Sequence, residues 1–497
     1  MYREIAAAID RQPDAVAIEA DDARQYRFCD IDEWSARYAN FFCASGLRRG
    51  DRVAVQAEKT PQCLFVYLAC LRAGLVYVPL NTAYQAEELE HFLRDAAPAL
   101  VVGSARSEAS LRDLVASTCD ARVFTLDADG QGSLAELAAA SDHCFDTVEA
   151  EDDLAALIYT SGTTGRSKGA MVTHRNLVCN ALALISAWQF SPRDVLLHTL
   201  PIFHVHGLFV ANHCALISGA KLLWRKRFDP QSVMCDLPAS TVFMGVPTYY
   251  TRLLAQPAFG REHCRNMRLF VSGSAPLMAD THREFELRTG QRILERYGMS
   301  EAGMITSNPL LGERRAGTVG VPLPGVSVRV ADERDRPLTC GEVGAIQVKG
   351  ENVFKGYWRM PEKTREEFTA DGWFRTGDLG VSGGDGYLSI VGRAKDLIIT
   401  GGYNVYPKEV ELALDQLAGV QESAVIGVPD PDFGEAVTAI IVPTKDSAPT
   451  EGEILAALRS RLANYKLPKR VHLVAELPRN AMGKVQKNLL RERYGGI

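Results

Sequence analysis

Tyr159 to Ala170 reads YTSGTTGRSKGA, the densest run of Gly, Ser and Thr in the chain. Gly162 and Gly165 let backbone N–H groups come close to an anion. The hydroxyls of Thr160, Ser161, Thr163, Thr164 and Ser167 can donate to phosphate oxygens, and Lys168 adds positive charge. The spacing is not that of a Walker loop. GxxxxGK[ST] requires Gly before the lysine and Ser or Thr after it, whereas Lys168 lies between Ser167 and Gly169. The bare pattern therefore leaves two readings, a phosphate cradle and a flexible surface loop.

Other chemistry-bearing residues are scattered along the chain. HTLPIFHVHGLFV holds His198, His204 and His206. No Cys or carboxylate cluster joins these histidines, so a metal site is not expected there. Taken singly, the remaining candidates have bland readings. Asp378 in TGD could cap a turn, Tyr297 could be core, and Glu301 could be a charge at a helix start. Lys484 could be one solvated lysine among several, with Lys487 nearby.

As a set they say more. YTSGTTGRSKGAMVTH resembles the phosphate-binding signature of the adenylate-forming superfamily, which includes acyl-CoA synthetases, luciferases and peptide-synthetase adenylation domains. Other stretches resemble that family's motifs in its order, namely LRAGLVYVPLN, GSAPL, YGMSEAG, WFRTGDLG, VGRAKDLIITGGYNVYPKEVE and PRNAMGKVQK. The resemblance runs from about Tyr26 to Lys487. It implies an enzyme that makes an acyl-adenylate from a carboxylic acid and ATP, releases pyrophosphate, and then passes the acyl group to a thiol.

The resemblance also implies roles. Thr160, Ser161, Gly162, Thr163, Thr164, Gly165 and Lys168 would hold the ATP phosphates. Gly273, Ser274, Ala275 and Pro276 would lie along adenine, and Tyr297, with Gly298, Met299 and Ser300, would stack on it. Asp378 would bind the ribose hydroxyls, with Arg393 close by. Glu301 and Thr163 would hold Mg²⁺, and Lys484 would be the catalytic lysine. Lys395 would be a hinge that replaces Lys484 by Gly401, Gly402 and Tyr403 on the coenzyme A side for thioester formation. His204, in PIFH, would line the acyl site and gate thiol entry.

Within the superfamily, NTAYQAEELEHFLRDAAP, GSAPLMADTHREF, ERYGMSEAGMITSNP, NVFKGYWRMPEKT and PRNAMGKVQK resemble malonyl-CoA synthetases. A second carboxylate must then be held, and arginine suits it because its fork pairs with a carboxylate in bidentate fashion. Arg283 in THREF matches the family's substrate arginine, with His206 assisting and Met304 limiting room at the α-carbon. Two departures make the pocket more apolar. Val205 stands where the subfamily commonly has Thr, and AGMI after Glu301 replaces a more polar run. They could favour methylmalonate or another acid.

The expected activity is thus a malonyl-CoA or methylmalonyl-CoA synthetase using ATP, Mg²⁺ and coenzyme A. The alternatives are a short-, medium- or long-chain fatty acyl-CoA synthetase and a stand-alone adenylation enzyme that loads a carrier protein. No carrier domain follows Lys484, which favours free coenzyme A. A regulatory ATP-binding protein is disfavoured because Lys484, Glu301 and Asp378 are all present. A luciferase-like side activity shares these motifs.

The elements that must position these residues alternate. DRVAVQAE reads as a strand, PQCLFVYLACLRAG as a helix ending at a Gly cap, and VYVPLN as a strand. Thr173 can cap a helix whose inner face carries Leu177, Ala181, Leu184, Ile185 and Trp188. Such alternation predicts an α/β (mixed α+β) fold of layered, largely parallel sheets. From about Gly317 short strands and Gly/Pro turns predict a β-rich subdomain. The expected boundary lies near Arg393 to Asp396, giving an N-terminal domain over 1–394 and a small mobile C-terminal α+β domain over 395–497. In the latter, AVIGVPD and VTAIIVP read as strands, and EGEILAALRSRLANY as a helix with Ile454, Leu455, Leu458 and Leu462 inward.

Composition sets the outer limits. The chain has 497 residues, a formal net charge of −6 and no long basic stripe, so a nucleic-acid partner is not expected. WRKRF (Trp224 to Phe228) reads as a solvated strand end. The 11 cysteines show no CxxC spacing, which fits a reducing compartment. The first residues carry charges inside their apolar run and do not read as a secretory signal. No apolar stretch is long enough for a membrane span. A cytoplasmic enzyme of small carboxylic acids, with no obligatory protein partner, is expected.

Overall fold

Pro61–Ala73 is helical for reasons visible at its ends. The Cys63 amide donates to the Thr60 hydroxyl at 3.2 Å, Pro61 occupies the first turn, and Gly74 closes the helix at φ 68°. Every residue between is buried, so the helix is apolar all round and lies inside the protein. The computed structural model describes residues 1–148, 151–160, 167–444, 447–459, 461–480 and 483–495.

The chain divides into two compact units, Met1–Ser327 with Val348–Phe374 and Val328–Gln347 with Arg375–Ile497. The expected division at 394/395 falls inside the second unit. The physical reason is packing: helix Pro407–Asp415 sits on strand Leu388–Arg393, which ties that strand to the residues after it.

Among the described residues the first unit contains two sheets. Among the described residues, one has nine strands, and its centre is parallel in the order Ile293–Met299, Leu269–Ser272, Val242–Gly245, Val195–His198, Lys221–Trp224 and Val16–Ala20. Antiparallel strands rim it: Gly303–Ser307 and Val321–Pro322 on one side, Gln25–Arg27 on the other. The second sheet runs Arg122–Thr125, Leu100–Gly103, Arg52–Val55, Val76–Pro79, Leu154–Thr160 and Lys168–Thr173, and only the last pair is antiparallel. The parallel strands are short apolar runs such as Arg52–Val55 and Val76–Pro79, as strands covered on both faces must be. In a parallel sheet every strand ends on the same edge, so His198, the GSAPL turn and the YGMSEAG turn are all delivered there.

Helix His174–Trp188 starts at Thr173, whose hydroxyl accepts the Asn176 amide at 3.1 Å. Leu177, Ala181, Leu184 and Trp188 are buried as the periodicity predicts, and Ile185 is half-buried. The stretch after Gly317 does form short strands, including Val326–Ala331 and Gly344–Gly350.

In the second unit, strands Tyr403–Val405, Ile398–Thr400, Gly434–Pro443 and Val420–Asp430 form a sheet in that order, and Arg470–Leu473 pairs in parallel with Gly434–Pro443. Ile398, Val405, Leu414, Val437, Ile454 and Leu458 share its core. The expected helix through Tyr465 covers Glu451–Arg459, with Ile454 and Leu458 buried and Leu455 half-buried, and Leu462 packs on the same core from beyond its end. WRKRF is a strand end, but Trp224 is buried and Arg225 is bound to Asp236 at 2.6 Å rather than solvated. Among the described residues no helix is long and apolar enough to cross a membrane.

Candidate active site

Thr160 and Lys168 face each other across the antiparallel pair of strands that brackets the Gly-rich loop. Ser161, Gly162, Thr163, Thr164 and Gly165 lie outside the described residues. At the loop's base the Thr160 hydroxyl donates to Glu301 Oε1 at 3.2 Å, and the Tyr357 hydroxyl donates to the same oxygen at 3.1 Å. Glu301 is buried in the turn after strand Ile293–Met299. Lys168 Nζ lies 4.4 Å from the Tyr357 ring centre and 4.0 Å from Glu367 Oε1. Burial holds the Lys168 amine below the usual lysine range, and Glu367 works against that. A buried carboxylate held by hydroxyl donors is a hard oxygen ligand, so Glu301 fits Mg²⁺.

Gly273 to Pro276 follow strand Leu269–Ser272 directly. Ser274 has φ 70°, a left-handed conformation in a residue other than glycine, which marks a constrained turn. A Cβ on Gly273 would lie 2.3 Å from the Arg296 guanidinium carbon, so glycine alone lets that group rest against the chain. Tyr297 is buried, while Gly298, Met299 and Ser300 are half-buried around it.

His206 is fully buried in the π-helical segment His206–Ala211, and its Nδ1 lies 3.4 Å from the Ser274 hydroxyl. Burial, with Arg296 adding to it, drives the imidazole far below the usual histidine range, so the ring is neutral near pH 7. His204, half-buried, accepts the His206 amide on Nδ1 at 3.3 Å. Val205 and Met304 come together in one cavity with Leu177, Ala181, Leu184 and Phe209, an apolar enclosure that Ser300 also lines.

Arg283 is not brought into this group. Its side chain is 68% exposed and pairs with Asp280 on the surface of helix Ala279–Thr289. The next residue back, His282, is the buried one, because neighbours on a helix point about 100° apart. The structure thus does not bring Arg283 together with His206 and Met304, the residues expected to share the acid pocket with it.

In the second unit, Asp378 and Arg393 are direct cross-strand partners, and Arg393 Nε donates to Asp378 Oδ1 at 2.8 Å. Asp378 is buried, so this pair fixes its carboxylate. Lys395 is the middle residue of the 3₁₀ turn Ala394–Asp396, and Asp396 is held by Arg491 at 2.7 Å. Gly401 and Gly402, both at positive φ, turn the tight hairpin between Ile398–Thr400 and Tyr403–Val405. Tyr403 is exposed and stacks on Tyr465 at 4.7 Å. Lys484 is exposed on a turn clamped by reciprocal bonds with Asn480, at 3.0 Å from its amide and 2.9 Å to its carbonyl. Lys487 is tied to Glu411 at 2.6 Å.

Residues 5–358 match the family model for an AMP-binding enzyme, and residues 409–484 match that for the AMP-binding enzyme C-terminal domain. The chain belongs to the AMP-binding enzyme family. This AMP-binding enzyme is similar to a feruloyl-CoA synthase of Amycolatopsis sp, 37% identical and covering 94% of each chain. It is also similar to the malonate–CoA ligase of Arabidopsis thaliana, 36% identical over 96% of this chain and 86% of that one. Its fold matches the crystal structure of ATP-bound MatB from Rhodopseudomonas palustris with a TM-score of 0.97, at 51% identity over 99% of both chains. The layered α/β architecture with a smaller second unit is that of its family.

The motifs did not reveal Tyr357, Glu367 or Arg296. Tyr357 lies inside NVFKGYWRMPEKT without any feature that marks it, and Arg296 precedes the YGMSEAG motif in a strand where any side chain could stand.

Proposed function

We propose that this AMP-binding enzyme is an ATP-dependent acid–CoA ligase acting on malonate, with methylmalonate as a second diacid. The observation that carries the adenylation step is the buried Glu301 carboxylate, bound by Thr160 at the base of the Gly-rich loop. The diacid reading is supported by the full-length similarity to a malonate–CoA ligase.

In this reading a carboxylate oxygen of the acid attacks the α-phosphorus of ATP. A new C–O–P linkage forms as the bond to pyrophosphate breaks. The thiol sulfur of coenzyme A then attacks the acyl carbon, AMP leaves with the bridging oxygen, and the thiol proton passes to solvent. The residues from Ser161 to Gly165, with Lys168, hold the phosphates; Gly273 to Pro276 and Tyr297 hold adenine; Asp378, fixed by Arg393, takes the ribose hydroxyls. Glu301 and Thr163 would hold Mg²⁺, which supplies charge neutralisation to the phosphates. Lys484 neutralises charge between the acid and the α-phosphate as a point charge. Because Lys484 is exposed on its own turn, we assign its delivery and withdrawal to movement about Lys395, with Gly401, Gly402 and Tyr403 serving the thiol and His204 gating its entry. The part that moves, residues 395–497, is the mobile domain of this proposal. The free state of all 11 cysteines supports a cytoplasmic setting.

One observation favours a second reading. The cavity that holds Val205 and Met304 is lined mainly by apolar side chains, which suits an aliphatic monocarboxylate.

Pyrophosphate release with Mg-ATP and coenzyme A decides between them, across malonate, methylmalonate, succinate, acetate, butyrate and octanoate. A diacid ahead by about tenfold or more, some 1.4 kcal/mol, is expected. A monocarboxylate in front replaces malonate with a fatty acid and leaves the adenylation chemistry standing. Lys484→Ala is expected to abolish adenylate formation and to spare thioester formation from supplied acyl-adenylate. Equal loss of both half-reactions would remove Lys484 from its role.

A further inference from the structure

A buried guanidinium without an anion is costly, and proteins keep such a group only where something completes it. Arg296 is 4% exposed, yet among the described residues its Nε and Nη2 have no hydrogen-bond partner. Among the described residues no carboxylate pairs with it. The surrounding chain is shaped to keep it there, since Gly273 offers no Cβ to the space the guanidinium fills. His206 stands beside it, buried, with Nε2 also unpartnered and Nδ1 turned to the Ser274 hydroxyl. Burial brings Arg296 down to about 9, still protonated at pH 7, while His206 is neutral. The group therefore carries a single positive charge with unspent donors, at the edge where the parallel strands end.

We propose that Arg296, assisted by His206, is the receptor for the second carboxylate of the acid substrate. This rests on the diacid–CoA ligase reading above and names the residue that would make the enzyme select diacids. The free carboxylate is paired with the guanidinium, which leaves the other one to be activated. A monocarboxylate of similar size leaves the buried cation unpaired, so discrimination comes from the penalty as well as from the attraction.

The test measures adenylate formation by the whole enzyme with malonate, monomethyl malonate and butyrate. The ester has nearly the shape of malonate but lacks its second charge. Wild type is expected to prefer malonate to the ester by about a hundredfold or more, the scale of a buried charge pair broken on one side. Arg296→Met is expected to lose malonate activity by a similar factor, mainly through KM, while butyrate and the ester are kept or improved. Arg296→Lys is expected to recover part of the malonate activity. Each variant is checked for the rise in melting temperature that Mg-ATP gives wild type.

Parallel losses for all three acids would overturn the inference, because they indicate a structural arginine. So would Arg296→Met that still prefers malonate, or a switch in preference produced by Arg283→Met instead. Should a variant not fold, the wild-type comparison still decides: equal use of malonate and its monoester means that no buried cation reads the second carboxylate. A wild type that rejects every diacid but activates butyrate defeats the diacid reading itself, an outcome distinct from malonate selectivity that survives in Arg296→Met.

Discussion

Glu301 Oε1 accepts two hydroxyls, and one of them can be removed without changing shape. Tyr357→Phe leaves the ring under Lys168 and takes away the 3.1 Å bond. A hydrogen bond to a charged group contributes about 1.5–3 kcal/mol, so kcat/KM for adenylate formation should fall by about tenfold or more, with the melting temperature nearly unchanged. Stopped-flow or pyrophosphate-release kinetics over a range of Mg²⁺ concentrations would show it; unaltered kinetics would mean that the hydroxyl does not tune Glu301. Thr160 and Glu301 were legible in the sequence because their motifs are dense and ordered. Tyr357 was not, since its contact joins residues 56 apart and depends on burial that no local pattern encodes. Arg296 was missed for a related reason: a strand arginine reads as a solvated charge until the fold covers it. Helix Ala279–Thr289 turns His282 inward and leaves Arg283 exposed, which its motif did not indicate.

Elements that carry the site have their own weak points. Thr173 caps helix His174–Trp188, one wall of the apolar cavity. Thr173→Ala should cost about 1 kcal/mol of stability, visible as a lower melting temperature, with substrate preference retained. In the second unit, Asp415 ends helix Pro407–Asp415 and is pushed by burial from 3.8 up to about 6, although Ser423 donates to it at 2.6 Å. Because its folded value is the higher one, the folded chain keeps a proton that the unfolded chain has lost between these two values. Its contribution is thus complete below the lower value and disappears as pH rises through about 6. Asp415→Asn should flatten that fall and raise the midpoint at pH 7.5, by about 2–4 °C for each kcal/mol regained. Melting curves from pH 4 to 8 would check it, and an unchanged pH profile would contradict it. The helix starting at Pro61 and the Thr173 cap could be read directly, since Pro, Thr and Gly act locally. The helix expected to reach Tyr465 is described over Glu451–Arg459, and Leu462 beyond it still packs on the core that Ile454 and Leu458 enter.

For the whole molecule, the proposal places the phosphate, adenine and acid residues in one unit and Asp378, Lys395, Tyr403 and Lys484 in the other. The two half-reactions should then leave opposite traces in hydrogen exchange. An acyl-adenylate analogue should protect peptides around Lys484, and AMP with coenzyme A should protect those around Gly401 to Tyr403. Identical patterns in the two states would argue against movement about Lys395. The boundary expected near Arg393 to Asp396 lies inside a compact unit that also takes in residues 328–347 and 375–394. The chain passes between units at 327/328, 347/348 and 374/375, and only three-dimensional packing reveals that residues 328–347 belong with what comes much later. That interleaving bears on how genes of this kind can be shuffled. A crossover at codon 395 looks like a clean exchange of C-terminal modules, yet it would pair strands 375–393 from one parent with helix Pro407–Asp415 from the other. Hybrids joined at 374/375 would still inherit 328–347 from the first parent, so recombination can succeed only between parents whose strands already fit one another.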